Sequence, residues 1–238
     1  MPTSGLVISD LHLLAKRSVG DSLLDGIAPQ LDRCDTLVLN GDTFDFRWSR
    51  LASEAESIAA AIAWLEARLE KMDGRDLHFI HGNHDCTHGF CARLRPLEEK
   101  WPNLHLHEYI LRLGDRIFLH GDCANRKMNA SSLASSRDGW AIDKPRGSFN
   151  AALYDIADST GLSWVFHRCY FPRDITVARV SHYLDAALPD WRDGTSDCYF
   201  GHTHIPFRDH RHGDISFHNT GSGIRSMGFQ PLEFEFQS

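Results

Sequence analysis

The sequence predicts an α/β fold, and three observations carry that prediction. Short apolar runs ending in polar breaks recur in the first third of the chain. A stretch with helical apolar spacing separates two of them. Each of these runs leads directly into Asp, Asn or His, as strands do when their carboxyl ends build a site. At 238 residues and 42% hydrophobic content, a single core can still fill, so residues 1–238 are expected to form one domain.

Gly5–Ser9 (GLVIS) reads as a buried strand, and Thr36–Asn40 (TLVLN) and Leu77–Ile80 (LHFI) repeat its pattern. Between the last two, Leu51, Ala55, Ile58, Ile62, Leu65 and Leu69 recur at helical spacing and give one apolar face. Glu108–Leu113 and Arg116–Leu119 flank Gly114-Asp115 as a hairpin. Asp197–Gly201 is a further strand, His204–His210 and Asp214–His218 flank Gly213 as a second hairpin, and Leu232–Phe236 closes the pattern. The span 126–193 interrupts it. Val177, Val180, Leu184 and Leu188 have helical spacing between Pro172 and Pro189, so a helical insertion is expected there, with Arg126–Ser136 (RKMNASSLASS) as a loop.

A formal charge of −7 argues against general nucleic-acid binding, which needs a basic face to release counterions. No charged-then-apolar leader opens the chain and no apolar run approaches the ~18 residues of a membrane span, so a cytoplasmic location is expected. The six cysteines form no C-x-x-C pair and are expected to be free buried thiols. Fifteen histidines direct attention to metal ligands.

Five short motifs follow predicted strand ends in order: Asp10-Leu11-His12, Gly41-Asp42, Gly82-Asn83-His84-Asp85, His120-Gly121-Asp122 and Gly201-His202-Thr203-His204. Each alone is weak, because a lone histidine is usually a surface or hydrogen-bonded residue. With Asp85 and Asp122 set aside, they supply two carboxylates, one amide oxygen and four imidazoles, with His84 over. That donor set suits Mn, Fe, Co or Zn and matches Mg or Ca poorly.

The ordered set resembles the calcineurin-like metallophosphoesterase superfamily, whose pattern is D-x-H, G-D, G-N-H-D, a later His, and G-H-x-H. The likeness runs from Ser9 to His204, and Asn219-Thr220-Gly221-Ser222 is similar to the N-P-G-S turn often found beyond it. The resemblance implies a four-layer αββα sandwich of two mixed β-sheets between helices. Carried over by matching position, Asp10, His12 and His204 would hold a first divalent metal. Asn83, His120 and His202 would hold a second, with Asp42 bridging both. Donor set and family habit together make manganese the expected metal, with iron or zinc next.

Such a centre suits phosphate chemistry. Two divalent cations about 3.5–4 Å apart bind phosphoryl oxygens and hold a bridging hydroxide in line with phosphorus. Asp10 and Asp42 offset only half of the cationic charge, and the remainder matches an anionic substrate plus hydroxide. His84 carries no metal in this assignment and is expected to be the general acid, with Asp85 orienting its ring; the alternative is that Asp85 caps a helix and His84 merely contacts phosphate.

Within the superfamily, Ser9–Leu13 (SDLHL), Gly41–Asp45 (GDTFD) and the helical insertion resemble the UDP-2,3-diacylglucosamine pyrophosphatases of lipid A biosynthesis. That resemblance implies a lid at about 126–193 over acyl chains, a lipid-linked sugar nucleotide as substrate, and at most peripheral contact with the inner face of the membrane. Trp164, Phe166, Tyr170 and Phe171 would line the acyl or sugar pocket, and Arg168, Arg173 and Arg179 would bind the diphosphate. A self-contained aromatic core with solvated arginines is the competing reading. Phe44, Phe46 and Trp48 have the same two readings, pocket or core. His84 stands where the best-known enzymes of that group have Arg, which bears on specificity. The alternatives are a phosphodiesterase or phosphatase acting on soluble nucleotides, and a non-catalytic scaffold. The scaffold is disfavoured because the matched ligands and His84 are all present. Gly221-Ser222-Gly223 lacks the serine-hydrolase elbow, and the sequon at Asn129-Ala130-Ser131 has no secretory context.

Overall fold

The computed structural model describes residues 2–142 and 162–237; the middle of the expected insertion, 143–161, lies outside them. Among the described residues, ten strands form two five-stranded sheets. The first holds β1 (Thr3–Ile8), β2 (Thr36–Asn40), β3 (Asp76–Ile80) and β4 (Leu104–His107) in parallel, with β10 (Leu232–Phe236) antiparallel on the β1 edge. The second is ordered β5 (Ile110–Leu113), β6 (Arg116–Leu119), β7 (Asp197–Phe200), β9 (Ile215–Asn219) and β8 (Phe207–His212). Its β6, β7 and β9 run parallel, while β5 and β8 pair antiparallel at the edges, so both sheets are mixed.

Strand alternation produces the layers. In β1 and β2, Leu6, Ile8, Leu37 and Leu39 join one helix-facing core, while Val7 and Val38 join a separate cluster with Phe118, Tyr199 and Phe234 of the second sheet. Ile117, Leu119, Cys198 and Phe200 face the other way into a third cluster. The helices α1 (Gly20–Gly26), α2 (Ala28–Arg33), α3 (Glu54–Met72) and α4 (His88–Lys100) cover the first sheet. The second is covered by α5 (Ala130–Ala141) and α7 (Arg173–Ala187); the short α6 (Leu162–Tyr170) precedes α7. This is the four-layer sandwich. No described helix is long and apolar enough to cross a membrane.

The expected helix is α3, which starts after Leu51. Ser53 caps it by accepting from the Glu56 amide at 3.1 Å, and Ala61, Leu65 and Leu69 bury one stripe. Truncating Leu65 to alanine would cost about 2–5 kcal/mol. The expected loop at Arg126–Ser136 is a correction. Asn129 and Ser132 form a capping box, which starts α5 and buries Leu133 and Arg137 one turn apart. Short polar residues read as loop until that reciprocal cap is seen. Val177, Val180 and Leu184 of α7 pack into the core of the second sheet. Phe44 and Phe46 are also core, which removes them from the pocket. All six cysteines are free; Cys34, Cys123 and Cys198 are buried, Cys86 and Cys91 half-buried, and Cys169 exposed.

Candidate metal centre

The carboxyl ends of β1, β2, β3, β6 and β7 deliver the five motifs to one end of the sandwich, as parallel strands require. Asp10, His12, Asp42, Asn83, His120 and His204 are buried, and His202 is half-buried. The backbone is strained there. Asp10, His12, Asp42, His202 and His204 all have φ between 48° and 64°, five of the nine non-glycine residues in the left-handed region among the described residues. Two motif glycines have a steric reason. A Cβ on Gly82 would overlap the Asp42 carboxylate, and one on Gly201 would overlap that of Asp10.

The side chains converge in two groups that share Asp42. Asp10 Oδ1 lies 3.3 Å from His204 Nε2, and His12 Nε2 lies 3.1 Å from the same atom. On the other side, His120 Nε2 lies 3.2 Å from Asn83 Oδ1, 3.3 Å from His202 Nδ1 and 3.3 Å from Asp42 Oδ2. That same Asp42 oxygen is 3.8 Å from His12 Nε2. Donor atoms bonded to one cation at about 2.0–2.1 Å stand roughly 3–3.4 Å apart, so the separations of 3.1–3.3 Å fit shared coordination, and the 3.8 Å from Asp42 to His12 is wider. The candidate clusters are Asp10–His12–His204, Asp42–His120–His202 and His12–Asp42–His84, each with donor atoms within 4.8 Å of one another. The first two are the sets expected from the motifs, the second augmented by Asn83.

Surrounding contacts lock these side chains. Asp10 accepts from the Ser9 hydroxyl and from the His202 amide, and Gly223 N and Ser222 Oγ donate to its carbonyl at 2.8 and 3.0 Å. Asn219 donates to Gly201 O at 2.8 Å, so the Asn219–Ser222 turn fixes the first and last motifs together. Asp42 Oδ1 accepts from the His84 amide at 2.8 Å.

The electrostatics favour cations. Burial would raise the Asp42 pKa, but His120 and His84 beside it hold it well below the usual carboxylate value. Burial raises Asp10. His120 would be lowered by burial, yet Asp42 pushes it up to about 10. His202 is lowered to about 3 by burial and by His120, and His204 well below its ordinary value by burial and by His167. The proton on His120 thus stands where a divalent cation would displace it.

The partner assigned to His84 requires correction. Asp85 accepts from the Gly82 amide and the Thr43 amide, both at 2.7 Å, and its carboxylate ties two motif loops together without serving the imidazole. Nor does it cap α4, whose N-cap is Thr87. Burial and Asp42 push Asp85 up to about 7. His84 Nδ1 instead meets Asp45 Oδ1 at 3.0 Å, and Asp45 Oδ2 lies 3.3 Å from His12 Nδ1. Against the lowering effect of burial, Asp45 and Asp42 raise His84 to about 9. The sequence did carry a signal for Asp45. It stands between Phe44 and Phe46, both in the core, so an extended backbone turns it the other way, toward the site.

The three candidate substrate arginines are not brought to the cluster. Arg179 Nη1 donates to Ala124 O at 2.8 Å and Asn125 O at 3.2 Å. The Arg168 guanidinium stands 5.3 Å over the Trp164 ring and that of Arg173 5.2 Å over Phe207. What α6 does bring is His167, stacked 4.7 Å from His204 and 3.1 Å from Thr203 O, and its neighbour Phe171 packs on the His202 ring. On the opposite side, Trp140 of α5 packs 4.8 Å from His84, with Arg47 above it at 4.2 Å.

Among curated proteins no sequence matches this chain. A dimetal phosphatase from Danio rerio shares the fold at 10% identity, 100% coverage of both chains and a TM-score of 0.50. A phosphopantetheinyl hydrolase from Mycobacterium tuberculosis aligns over 93% of this chain and 90% of its own, at 13% identity and TM-score 0.42. A conserved Streptococcus pneumoniae protein described as a predicted phosphoesterase aligns over 99% and 98%, at 14% identity and TM-score 0.38. The family model for calcineurin-like phosphoesterases matches residues 6–206, which contain every motif of the cluster. The chain belongs to the calcineurin-like phosphoesterase family and is a metal-dependent phosphoesterase.

Proposed function

We propose that the chain hydrolyses a phosphate ester or pyrophosphate at a dinuclear centre, with Asp10, His12 and His204 holding one divalent cation, Asn83, His120 and His202 the other, and Asp42 both. The observation carrying this reading is the position of Asp42 Oδ2, 3.3 Å from His120 Nε2 and 3.8 Å from His12 Nε2, between the two sets. Cations held there would supply Lewis-acid activation of the phosphoryl group and would bring the pKa of water at the site to about 7. Manganese is the preferred occupant. His84 acts as general acid and gives its proton to the departing oxygen, while Asp45 keeps the ring charged and oriented.

For the substrate we favour a lipid-linked sugar nucleotide of the UDP-2,3-diacylglucosamine type, handled in the cytoplasm with peripheral membrane contact through a lid. Support comes from Trp164, Phe166 and Tyr170, which are exposed on the helix whose His167 stacks on His204. The test is turnover with added Mn²⁺ on UDP-2,3-diacylglucosamine beside a panel of UDP-sugars, cyclic nucleotides and p-nitrophenyl esters. Preference for the lipid substrate and partitioning onto anionic vesicles are expected. High turnover on a soluble nucleotide with none on the lipid would reject that substrate, and no metal-dependent turnover on any ester would reject the hydrolase.

A further inference from the structure

The turn that follows β6 is held by the helical layer and reaches back into the metal cluster. Asp122–Asn125 forms one turn of 3-10 helix directly after the His120 motif. Its first residue, Asp122, takes two hydrogen bonds from the buried Arg137 of α5, from Nε and Nη2, both at 2.9 Å. Its last two residues, Ala124 and Asn125, offer their carbonyls to Arg179 of α7 at 2.8 and 3.2 Å. Each end of the turn is therefore pinned by a guanidinium from a different helix. The side chain projecting from this clamped turn is Asn125, and its Oδ1 lies 2.9 Å from His202 Nε2.

An amide oxygen only accepts, so this contact requires the proton of the neutral imidazole to reside on Nε2. The other ring nitrogen, Nδ1, then presents its lone pair, and it is this atom that lies 3.3 Å from His120 Nε2. We propose that Asn125 is a positioning residue that fixes the tautomer and ring orientation of His202, so that His202 serves the second cation through Nδ1, with Arg137 and Arg179 holding Asn125 in place. The metal side of this inference rests on the dinuclear reading above; the tautomer side does not. The role matches the general requirement that the outer nitrogen of a ligating histidine be tied to a fixed acceptor. It also gives Arg179 a use that a search for substrate contacts overlooks.

The experiment compares wild type with Asn125→Leu, which removes the acceptor at similar volume, and Asn125→Asp, which restores one. Two readouts are taken: the tautomer of His202 in chelator-treated protein, by ¹⁵N-labelled imidazole NMR, and Mn²⁺ affinity, by isothermal titration. Wild type is expected in the Nε2–H form, and Asn125→Leu should lose that uniform form and bind the weaker-held Mn²⁺ about 10–100-fold less tightly. Asn125→Asp should recover the tautomer and most of the affinity. An Nδ1–H ring in wild type overturns the proposal, as does an Asn125→Asp variant that loses as much as Asn125→Leu. A wild-type protein that takes up no Mn²⁺ rejects the dinuclear reading, while the tautomer measurement still decides the part played by Asn125. If Asn125→Leu does not fold, Arg179→Met supplies the same comparison from the other end of the clamp, with a smaller loss of affinity expected.

Discussion

Asp45 Oδ1 lies 3.0 Å from His84 Nδ1, and the second oxygen of the same carboxylate lies 3.3 Å from His12 Nδ1. One buried aspartate thus stands at ion-pair distance from the Nδ1 of both the proposed acid and a proposed ligand. Burial opposes ionisation of Asp45, but His84 and His12 more than compensate and hold it well below the usual carboxylate value. The proton is therefore on His84, where a general acid needs it.

The leaving-group dependence of catalysis follows from that placement. His84→Ala should cost about 10²–10⁴ in kcat on an alkyl phosphodiester, whose departing oxygen needs a proton. On a p-nitrophenyl ester, whose leaving group departs as the anion, the loss should be much smaller. Asp45→Asn should show the same pattern at roughly a tenth of the size, because the ring remains but its charge is less favoured. Equal losses on the two esters would remove His84 from the role of acid.

The same pair makes the stability of chelator-treated protein depend on pH. His84 titrates at about 9 when folded, against an ordinary imidazole value of 6.5. A folded pKa above the unfolded one means the contribution is complete below about 6.5 and is lost as the pH rises through about 9. Its size is on the order of 3 kcal/mol for this buried group. His120, held at about 10 by Asp42 against burial, adds a loss of the same sign at higher pH. Urea unfolding at pH 6.5 and 9.5 should therefore show wild type weakening with pH, and Asp45→Asn weakening less. An identical slope in the variant would mean that Asp45 does not raise His84.

Much of this site is legible in the chain because strand ends are legible. Thr36–Asn40 is visible as an apolar run, Asp42 lies two residues beyond it, and parallel strands do the rest. The partner of His84 was hidden because sequence adjacency favours Asp85, whereas the Gly82 and Thr43 amides claim that carboxylate. Helix α4 carries a weaker signal: Gly89 and Pro96 are poor helix formers, although Phe90, Leu94 and Leu97 bury one face. The role of Arg179 depends on two backbone carbonyls some fifty residues away, and no local pattern encodes such a contact.

Loss of the shared carboxylate should be felt at both cation positions. Asp42→Asn keeps the shape and the contact with the His84 amide but removes the charge that lies between the two sets. Metal analysis should find occupancy falling from two Mn²⁺ per chain toward one or none, with activity lost and not restored by millimolar Mn²⁺. In the wild type, chelation should abolish turnover and Mn²⁺ should restore it. Two tightly held ions in Asp42→Asn would show that this residue does not bridge.

Arg137 and Asp122 form a paired charge within the helical layer, each about 5% exposed, and they anchor the turn that follows His120 and bears Asn125. The pairing holds Asp122 below its ordinary pKa despite burial, so the carboxylate is charged at neutral pH. Removing only the guanidinium leaves that charge buried and uncompensated, which costs about 3–5 kcal/mol. Arg137→Met should therefore unfold at markedly lower urea concentration. Arg137→Met combined with Asp122→Asn removes both charges and should recover at least half of the loss. Metal affinity need not recover with it, because the turn loses its anchor in either variant. The stability comparison therefore tests the ion pair, and Mn²⁺ titration of the double variant tests its reach into the site. A single variant within 1 kcal/mol of wild type would show that Asp122 finds compensation elsewhere.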